Sequence, residues 1–407
     1  MKFLSSRGKT RPVTINVLLC KTLVKVLVFE ILEGKAPRPL FSKEKALSKN
    51  WQGTDRELYA AITSSVYQLL HEGEKFLQKN VSESSVSRVV FFYTPPFAIY
   101  GNEQISIHSP KQTELDTKTL ENAVLEAKKR FAAGYRRNIK ETTGGSVSRL
   151  AVVTEKLSFA VLDGYPVSDF LSRSYKSFSA ELSLEAVPAD MLQKLMDVAH
   201  SLFHYAELSH LTVRHAVLDV LAQTQTHPQN FLLCTIFPHA SSLYSVENKI
   251  ATRQILFPYG TDHILGAIAK KLSTTRTVAH SHALLYRDQK LHNTAEGKFS
   301  EALKEVGNEW TKQFTLARQK LSERFTLAKS VFILSFDWLD IMLFTSIPSL
   351  GLDSCGEYTL TPLSSTSFGE TLTADSQVQG NLEVVLMHYL SHAHDGIDTV
   401  KGGYAIL

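Results

Sequence analysis

Residues 231–260 read FLLCTIFPHASSLYSVENKIATRQILFPYG. Three short runs in this stretch, FLLCTIF, SSLYSVENK and IATRQILFP, are rich in aliphatic, β-branched and aromatic residues, and Asn248-Lys249 separates the second from the third. Apolar runs of this length bounded by turn residues are typical of strands. The stretch therefore predicts a β-meander, and the helical spacing of apolar residues at 261–273 predicts that a helix follows it.

The N-terminal part of the chain repeats this order. Residues 13–20 and 24–32 are aliphatic runs of strand length, and Gly34 with two following prolines supplies a turn. Residues 55–78 carry apolar side chains at helical spacing. Because both halves open with a strand pair and continue into helices, and because 407 residues exceed one simple core, we expect two lobes.

The first strand pair superficially resembles a signal peptide, because basic residues precede an apolar stretch. Lys21 and Lys25 interrupt that stretch, whereas a membrane span needs about 18 or more consecutive apolar residues. No small-residue cleavage site follows. We therefore interpret this segment as two strands.

Further elements are predicted between and after the two strand-led halves. Between them we expect strands at 88–93 and 103–108, a helix at 116–131, a hairpin with arms 149–155 and 157–162 closing at 163–166, a strand at 175–187, and helices at 188–205 and 212–225. After the meander we expect a long helix at 280–329, a strand at 330–335, a helix at 337–345, a Ser/Thr/Gly-rich loop with short edge strands at about 349–381, and a last strand at VVLMHYL. The predicted domain limits are 1–87 and 187–348 for the two lobes, 88–186 for an inserted α+β subdomain with its return strands, and 349–407 for the tail.

Composition narrows the classes of partner. The formal net charge of +4 is spread thinly, without the block of like charges that marks a nucleic-acid-binding tail, so we expect no nucleic acid. Hydrophobic residues make up 43% and charged residues 21% of the chain, which suffices for folding without disulfides or metal. Cys20, Cys234 and Cys355 are too few and too scattered for a disulfide framework, which favours a reducing compartment.

The duplicated order resembles the actin-like ATPases, in particular the bacterial proteins of the FtsA and PilM kind. The residues that carry the resemblance are INVLLCKTLVKVLVFEILEGKAPRPLF at 15–41, with Glu30 closing its second strand, FFYTPPFAIYGNEQISI at 91–107, the turn Leu162-Asp163-Gly164-Tyr165, and Phe257, Pro258 and Gly260. The resemblance implies an α/β, duplicated, ribonuclease H-like two-lobe fold. Its mixed five-stranded sheets would be flanked by helices and joined by a small inserted subdomain. The other interpretation is an unrelated mixed fold, which the strand order would reveal.

Members of that family hold nucleotide between two hairpin turns, with glycine-rich backbone amides on the phosphates and carboxylates on Mg²⁺. The first turn here is Val17-Leu18-Leu19-Cys20-Lys21, without a carboxylate or a glycine, and leaves Asn16 as its polar remnant. At the second turn Thr235 stands where the family has aspartate, Pro238 near its glycine, and His239 near its catalytic acid. We therefore predict a degenerate ATPase without catalytic residues, metal or a required cofactor.

One alternative stays open at these turns. Lys21, Thr22, Ser241 and Ser242 lie near the two turns and could bind ATP without a metal. The other interpretation treats them as ordinary turn residues, with apolar side chains filling the cleft in place of a ligand.

Other combinations of reactive residues predict no second site. His200 and His204 have the spacing of metal ligands on a helix but lack a suitably placed carboxylate, and His388 and His392 fall in a predicted strand. Neither a Gly-x-Ser-x-Gly elbow nor a phosphate-binding Gly-x-x-x-x-Gly-Lys-Ser/Thr loop is present in the sequence. Cys234 lies within an apolar strand and is expected to be structural.

The resemblance implies a function in assembly at the bacterial inner membrane. We expect a non-catalytic scaffold at the cytoplasmic face that binds protein partners, among them the cytoplasmic segment of a membrane protein, in pilus or cell-division assembly. Partner binding would fall within about 88–186, and self-association stays open. The C-terminal DGIDTVKGGYAIL is neither basic nor amphipathic enough for a membrane-targeting helix, so recruitment through a partner is expected. The alternative is an ATPase that retains nucleotide binding.

Overall fold

A computed structural model gives the fold. It describes residues 11–31, 37–47, 55–81, 84–143, 149–223, 228–238, 240–247, 250–322, 327–335, 359–363, 381–392 and 405–407. Three sheets organise these residues: one in each of two lobes, and a third in an inserted unit.

The first lobe is built on a five-stranded sheet of order β3-β2-β1-β4-β9. Its strands are β1 (Arg11–Leu19), β2 (Leu23–Glu30), β3 (Arg38–Ala46), β4 (Ser84–Tyr93) and β9 (Glu207–Thr212). β1 runs antiparallel to β2 and parallel to β4, and β4 runs parallel to β9. The helices of this lobe are α1 (Asp55–Asn80), α3 (Ala189–Leu202) and α4 (Val213–Gln223).

Both faces of the first sheet are buried, which explains the continuous apolar run of β1. Successive side chains of a strand point to opposite faces. Ile15 and Val17 therefore pack with α1 and α3, while Leu18 packs on the opposite face with α4. Strands covered on both faces lose the apolar-polar alternation of a half-exposed strand.

The second lobe repeats the topology of the first. Its sheet has the order β12-β11-β10-β13-β14. The strands are β10 (Phe231–Ile236), β11 (Ser241–Glu247), β12 (Ile250–Phe257), β13 (Ser330–Ser335) and β14 (Thr359–Pro362). The helices are α5 (Thr261–Lys271), α6 (Arg276–Arg287), α7 (Asn293–Ser322) and α8 (Asn381–His392). The meander, the strand at 330–335 and the short edge strand in the tail are therefore confirmed.

The two lobes share one apolar core. α4 of the first lobe packs against α8 of the second, and a single cluster of buried side chains runs from Phe92 through Val217 and Leu386 to Phe332. The helices α4 and α8 thus join the facing surfaces of the two large sheets.

The inserted unit contains the third sheet, of order β15-β6-β8-β5, with β7 paired to β6. Its elements are β5 (Ile99–Glu114), α2 (Thr117–Thr143), β6 (Leu150–Leu162), β7 (Tyr165–Pro166), β8 (Ser174–Pro188) and β15 (Ala405–Ile406). α2 packs on one face of the sheet, against a core that includes Ile105, Phe131 and Leu182.

Some elements differ from the sequence predictions in their sheet or extent. Residues 88–93, expected in the inserted unit, form part of β4 and pair with β1 in the first sheet. The predicted hairpin at 149–162 is the single strand β6, whose register shifts twice against β8 while the strand continues. The closing turn predicted at 163–166 is confirmed: Asp163 and Gly164 both have positive φ, and Leu162 pairs with Tyr165.

Other predictions fail because local pattern does not report tertiary context. The expected helix at 280–329 is broken, since α6 ends at Arg287 and Gln289 has a φ of 54°. VVLMHYL lies in the helix α8 because short apolar runs fit a buried helix as well as a strand. Strands β3 and β9 were not predicted. In β3 the reason is proline, since Pro37 precedes the strand and Pro39 is its second residue. The helix expected at 337–345 lies outside the described residues.

Candidate functional site between the lobes

The candidate site lies at the ends of the parallel strands, where the two lobes face each other. β1, β4 and β9 end side by side, with Leu19 next to Tyr93 and Tyr93 next to Thr212. The β1–β2 turn and the loop after β4 therefore share this edge of the first sheet. In the second lobe the corresponding edge carries the β10–β11 connection and the start of α5.

The first turn is closed by bonds within the protein. The Cys20 amide donates to the Leu23 carbonyl at 3.0 Å, and the Thr94 amide and hydroxyl both donate to the Leu19 carbonyl, at 3.1 and 3.0 Å. Cys20 and Thr94 have no exposed surface. Burial raises the pKa of the Cys20 thiol to about 12, and the nearby negative charges of Glu44 and Asp262 add to that rise. The backbone groups at this end of the turn are thus buried and bonded within the protein.

The second turn is bonded to the start of α5. The Phe237 amide donates to the Ala240 carbonyl at 2.9 Å. The carbonyls of Phe237 and Pro238 accept from the amides of Thr261 and Asp262, at 3.1 and 2.6 Å. The N-terminal amides of a helix are a common anion-binding site. Here the first two of them are engaged by turn carbonyls.

Gly260 is what allows this close approach. A Cβ on Gly260 would lie 2.1 Å from the Phe237 carbonyl oxygen and 2.5 Å from the Ala240 nitrogen. Its φ of −114° is open to other residues, so space and not backbone conformation requires the glycine. The Phe-Pro-x-Gly turn seen in the sequence therefore holds α5 against the second turn.

The first-lobe residues predicted for the site do not all lie at the turn. Asn16 lies inside β1, beside Leu27 and Val90, and not at the turn. It is buried, and within the described part of the chain neither atom of its side-chain amide has a hydrogen-bond partner. Lys21 and Thr22 do lie in the β1–β2 turn, where the Thr22 carbonyl accepts from the Leu47 amide at 2.7 Å.

The predicted residues of the second lobe fall on two faces of its sheet. Thr235 and Ser242 are partners in the register of β10 and β11, so they share the face directed toward the first lobe. Ser241 points to the other face and donates to the Tyr259 carbonyl at 2.7 Å. His239 lies outside the described residues. The structure therefore brings together Thr235 and Ser242.

An ion pair that the sequence analysis missed occupies the junction of the three sheets. Arg214, in the first turn of α4, donates from Nε to Glu185 of β8 at 2.8 Å and from Nη2 to the Ser183 hydroxyl at 3.3 Å. Thr212 donates to the second oxygen of Glu185 and accepts from the His215 amide at 3.1 Å, which caps α4. Both charged side chains are only 5% exposed.

Two tyrosines enclose the Arg214 guanidinium. Its carbon lies 4.4 Å from the ring centre of Tyr100 on β5 and 5.9 Å from that of Tyr244 on β11. The two rings meet edge to face at 6.1 Å, and Gln254 donates to both the Tyr244 and the Ser242 hydroxyls, at 3.2 and 3.3 Å. Burial raises the pKa of both Tyr100 and Tyr244, so their hydroxyls stay protonated. A cation of the protein itself thus faces the polar residues of the second lobe.

Comparison with known proteins identifies the fold. No family model matches the sequence, and no curated protein matches it. Among solved structures, a chain of the PilM-PilN type IV pilus biogenesis complex aligns with a TM-score of 0.56 at 14% identity, over 93% of this chain and 97% of that one. Together with the identical strand order of the two lobes, this decides the architecture. The chain has the actin-like fold.

Weaker matches were also found. The ethanolamine utilization protein EutJ from Carboxydothermus hydrogenoformans aligns with a TM-score of 0.44 at 10% identity, over 92% of this chain and 90% of that one. The cytoplasmic domain of EpsL, an inner membrane component of the type II secretion system of Vibrio cholerae, aligns with a TM-score of 0.32 at 11% identity, over 93% and 94%.

Across the described ranges, no group of three or more His, Cys, Asp and Glu side chains is placed to hold a metal ion. Among the described helices, none combines the length and the apolar character that crossing a membrane requires.

The sequence carried only part of the signal for the ion pair. Glu181, Ser183 and Glu185 alternate with leucines in β8, which marks a strand with one polar face. Thr212 has the character of a helix cap before Arg214. Pairing Glu185 with Arg214 requires the tertiary fold, because 29 positions of sequence and a whole helix separate them.

Proposed function

We propose that this actin-like chain is a non-catalytic scaffold that acts by binding protein partners. Its setting would be the cytoplasmic face of the inner membrane, in the assembly of a pilus or of the division machinery. One of its partners would be the cytoplasmic segment of a membrane protein, through which the chain is recruited. ATP would have no required part, and self-association is compatible with this function.

The observation that carries the proposal is the state of the two turns. Nucleotide binding in this fold needs free backbone amides and a carboxylate for Mg²⁺. Here the amides of Cys20, Thr261 and Asp262 already donate to protein carbonyls, and Pro238 has no amide proton to offer. An arrangement in which protein groups satisfy the turns favours a structural role for the cleft.

The inserted unit offers surface for a partner. It carries several large apolar side chains that are strongly exposed: Leu125, Phe159, Tyr165 and Leu171, at 46, 41, 75 and 43%. Exposed apolar side chains grouped on one unit are typical of surfaces that bind proteins. The similarity to a chain of the PilM-PilN complex supports the same kind of function.

Site-specific crosslinking in the native host tests the proposal. A photoreactive amino acid at Tyr165 should give an adduct with a membrane-inserted protein, and the adduct should persist when cellular ATP is depleted. The matched control places the same group at Tyr205, which is 99% exposed on the first lobe and should give no such adduct. Adducts that require ATP would favour the nucleotide-dependent alternative, and no adduct at any of the exposed positions of the inserted unit would refute the proposal.

A further inference from the structure

We propose that Arg214 and Glu185 form a latch that holds the inserted unit and the second lobe closed against the first lobe without any ligand. In nucleotide-binding relatives of this architecture a bound molecule can bridge the lobes. In this chain the bridge would be part of the protein, so closure would be its resting state. The inference concerns conformation and does not depend on which partner the chain binds.

The latch draws on all three parts of the molecule. Arg214 and Thr212 come from the first lobe, and Glu185 and Ser183 come from the inserted unit. Tyr244 comes from the second lobe, and its ring centre lies 5.9 Å from the guanidinium carbon. Movement of any one part away from the other two would break at least one of these contacts.

Burial makes the contact between Arg214 and Glu185 hard to break locally. A charge left alone in a dry site is strongly unfavourable, whereas a paired and fully hydrogen-bonded one is tolerated. Both oxygens of Glu185 accept hydrogen bonds here, one from Arg214 and one from Thr212. Separation of the pair would therefore require water to enter, which means that the surrounding parts must open.

Aromatic packing extends the latch to the second lobe. The guanidinium lies over Tyr100, and Tyr100 meets Tyr244 edge to face. An arginine can donate hydrogen bonds in its plane while its face contacts a ring, which a lysine cannot do. The planar guanidinium of Arg214, and not its charge alone, is therefore what this position requires.

A second charged group lies farther along the same strand. Glu181 shares the polar face of β8 with Glu185, and burial raises the pKa of its carboxyl. The charges of Glu247 and Arg253 in the second lobe also act on that carboxyl. The direct contact between the third sheet and the second lobe is the one between Tyr100 and Tyr244, and the charge of Glu181 adds an electrostatic link to the β11–β12 hairpin.

Cysteine labelling measures the opening of the lobes. Cys20 is fully buried at the edge that faces the second lobe, and Cys234 is fully buried inside β10. In a Cys355→Ser background, a thiol reagent should reach Cys20 when the lobes separate, but Cys234 only when the second sheet unfolds. The ratio of the two labelling rates, read by mass spectrometry, therefore distinguishes opening from unfolding.

The test compares Arg214→Met with the wild-type residue. We expect Cys20 to label at least tenfold faster while Cys234 keeps its rate. Loss of a cation does not by itself activate a thiol, because nearby positive charge lowers a thiol pKa, so faster labelling reports opening. Arg88→Met is the matched control, since the Arg88–Glu207 pair joins two strands within the first sheet and should leave both rates unchanged.

A second variant keeps the proposal testable if Arg214→Met does not fold. Arg214→Lys retains the charge but loses the planar contact with the ring and the paired donors, and it should also label at Cys20 at least tenfold faster. Equal acceleration of Cys20 and Cys234 would show general destabilisation and overturn the latch. Unchanged labelling of Cys20 in both variants would overturn it as well.

Discussion

Replacement of Gly260 by alanine would force the second turn away from α5. The added Cβ would lie 2.1 Å from the Phe237 carbonyl oxygen and 2.8 Å from the Pro238 carbonyl carbon. These are backbone atoms, so no side chain can rotate to make room. Relief of the overlap needs a displacement of about 1 Å, which overpacking of this kind makes costly.

The magnitude follows from the bonds that the displacement weakens. The amides of Thr261 and Asp262 both donate to the turn, and each such bond contributes about 1 kcal/mol. Overpacking adds about 1–3 kcal/mol, and the lower entropy of the unfolded alanine chain offsets about 0.4–1 kcal/mol. We therefore expect Gly260→Ala to lower the free energy of unfolding by about 2–5 kcal/mol.

Denaturant unfolding followed by circular dichroism measures this change. Gly297→Ala is the control, because Gly297 lies inside α7 and a Cβ there would meet nothing within 4 Å. That variant should be neutral or stabilised by up to about 1 kcal/mol. If Gly260→Ala were as stable as the wild type, the close approach of the turn to α5 would not exist as described.

Three further predictions concern other buried contacts. Burial lowers the pKa of His210 to about 3, so the stability that its neutral form contributes is complete above the unfolded pKa of about 6.5. That stability falls as the pH drops below about 6.5, by about 2 kcal/mol at pH 5. Between pH 7.5 and pH 5, His210→Gln should therefore lose about 2 kcal/mol less of its free energy of unfolding than the wild type does. Ser241→Ala removes the bond to the Tyr259 carbonyl and should cost about 1–2 kcal/mol in denaturant unfolding, and a stability equal to wild type would contradict the bond. Gly101→Ala would place a Cβ 2.6 Å from the Phe131 ring and should lower the free energy of unfolding by about 1–3 kcal/mol. In a double-mutant cycle, Phe131→Leu should recover part of that loss. Additive losses would show that the two positions do not touch.

The fold was predictable because its main signals are local. Each lobe opens with strands whose lengths and turns can be seen in the sequence, and each sheet then adopts the same strand order. The resemblance to actin-like proteins supplied the mixed five-stranded sheets and the inserted subdomain. Strands such as β3, which begins Arg38-Pro39, were missed because proline argues against a strand except at a sheet edge, and β3 is an edge strand.

The candidate site was predictable only in part, for a physical reason. The predicted meander is present, and in it Thr235 and Ser242 are partners in the register of β10 and β11. Asn16 was assigned to the turn although it lies inside β1, because a strand buried on both faces is apolar throughout and its sequence does not show where it ends. The contact of Arg214 with Glu185 was missed because it joins two separate parts of the fold.

Calorimetric titration of ATP into the purified chain, with and without Mg²⁺, tests the central claim most directly. The account predicts no binding heat at millimolar ATP under either condition, because the turns and the start of α5 are already satisfied by protein groups. Saturable binding that disappears in a Lys21→Ala, Ser242→Ala variant of unchanged stability would contradict it, and would show that the cleft between the lobes still takes a nucleotide.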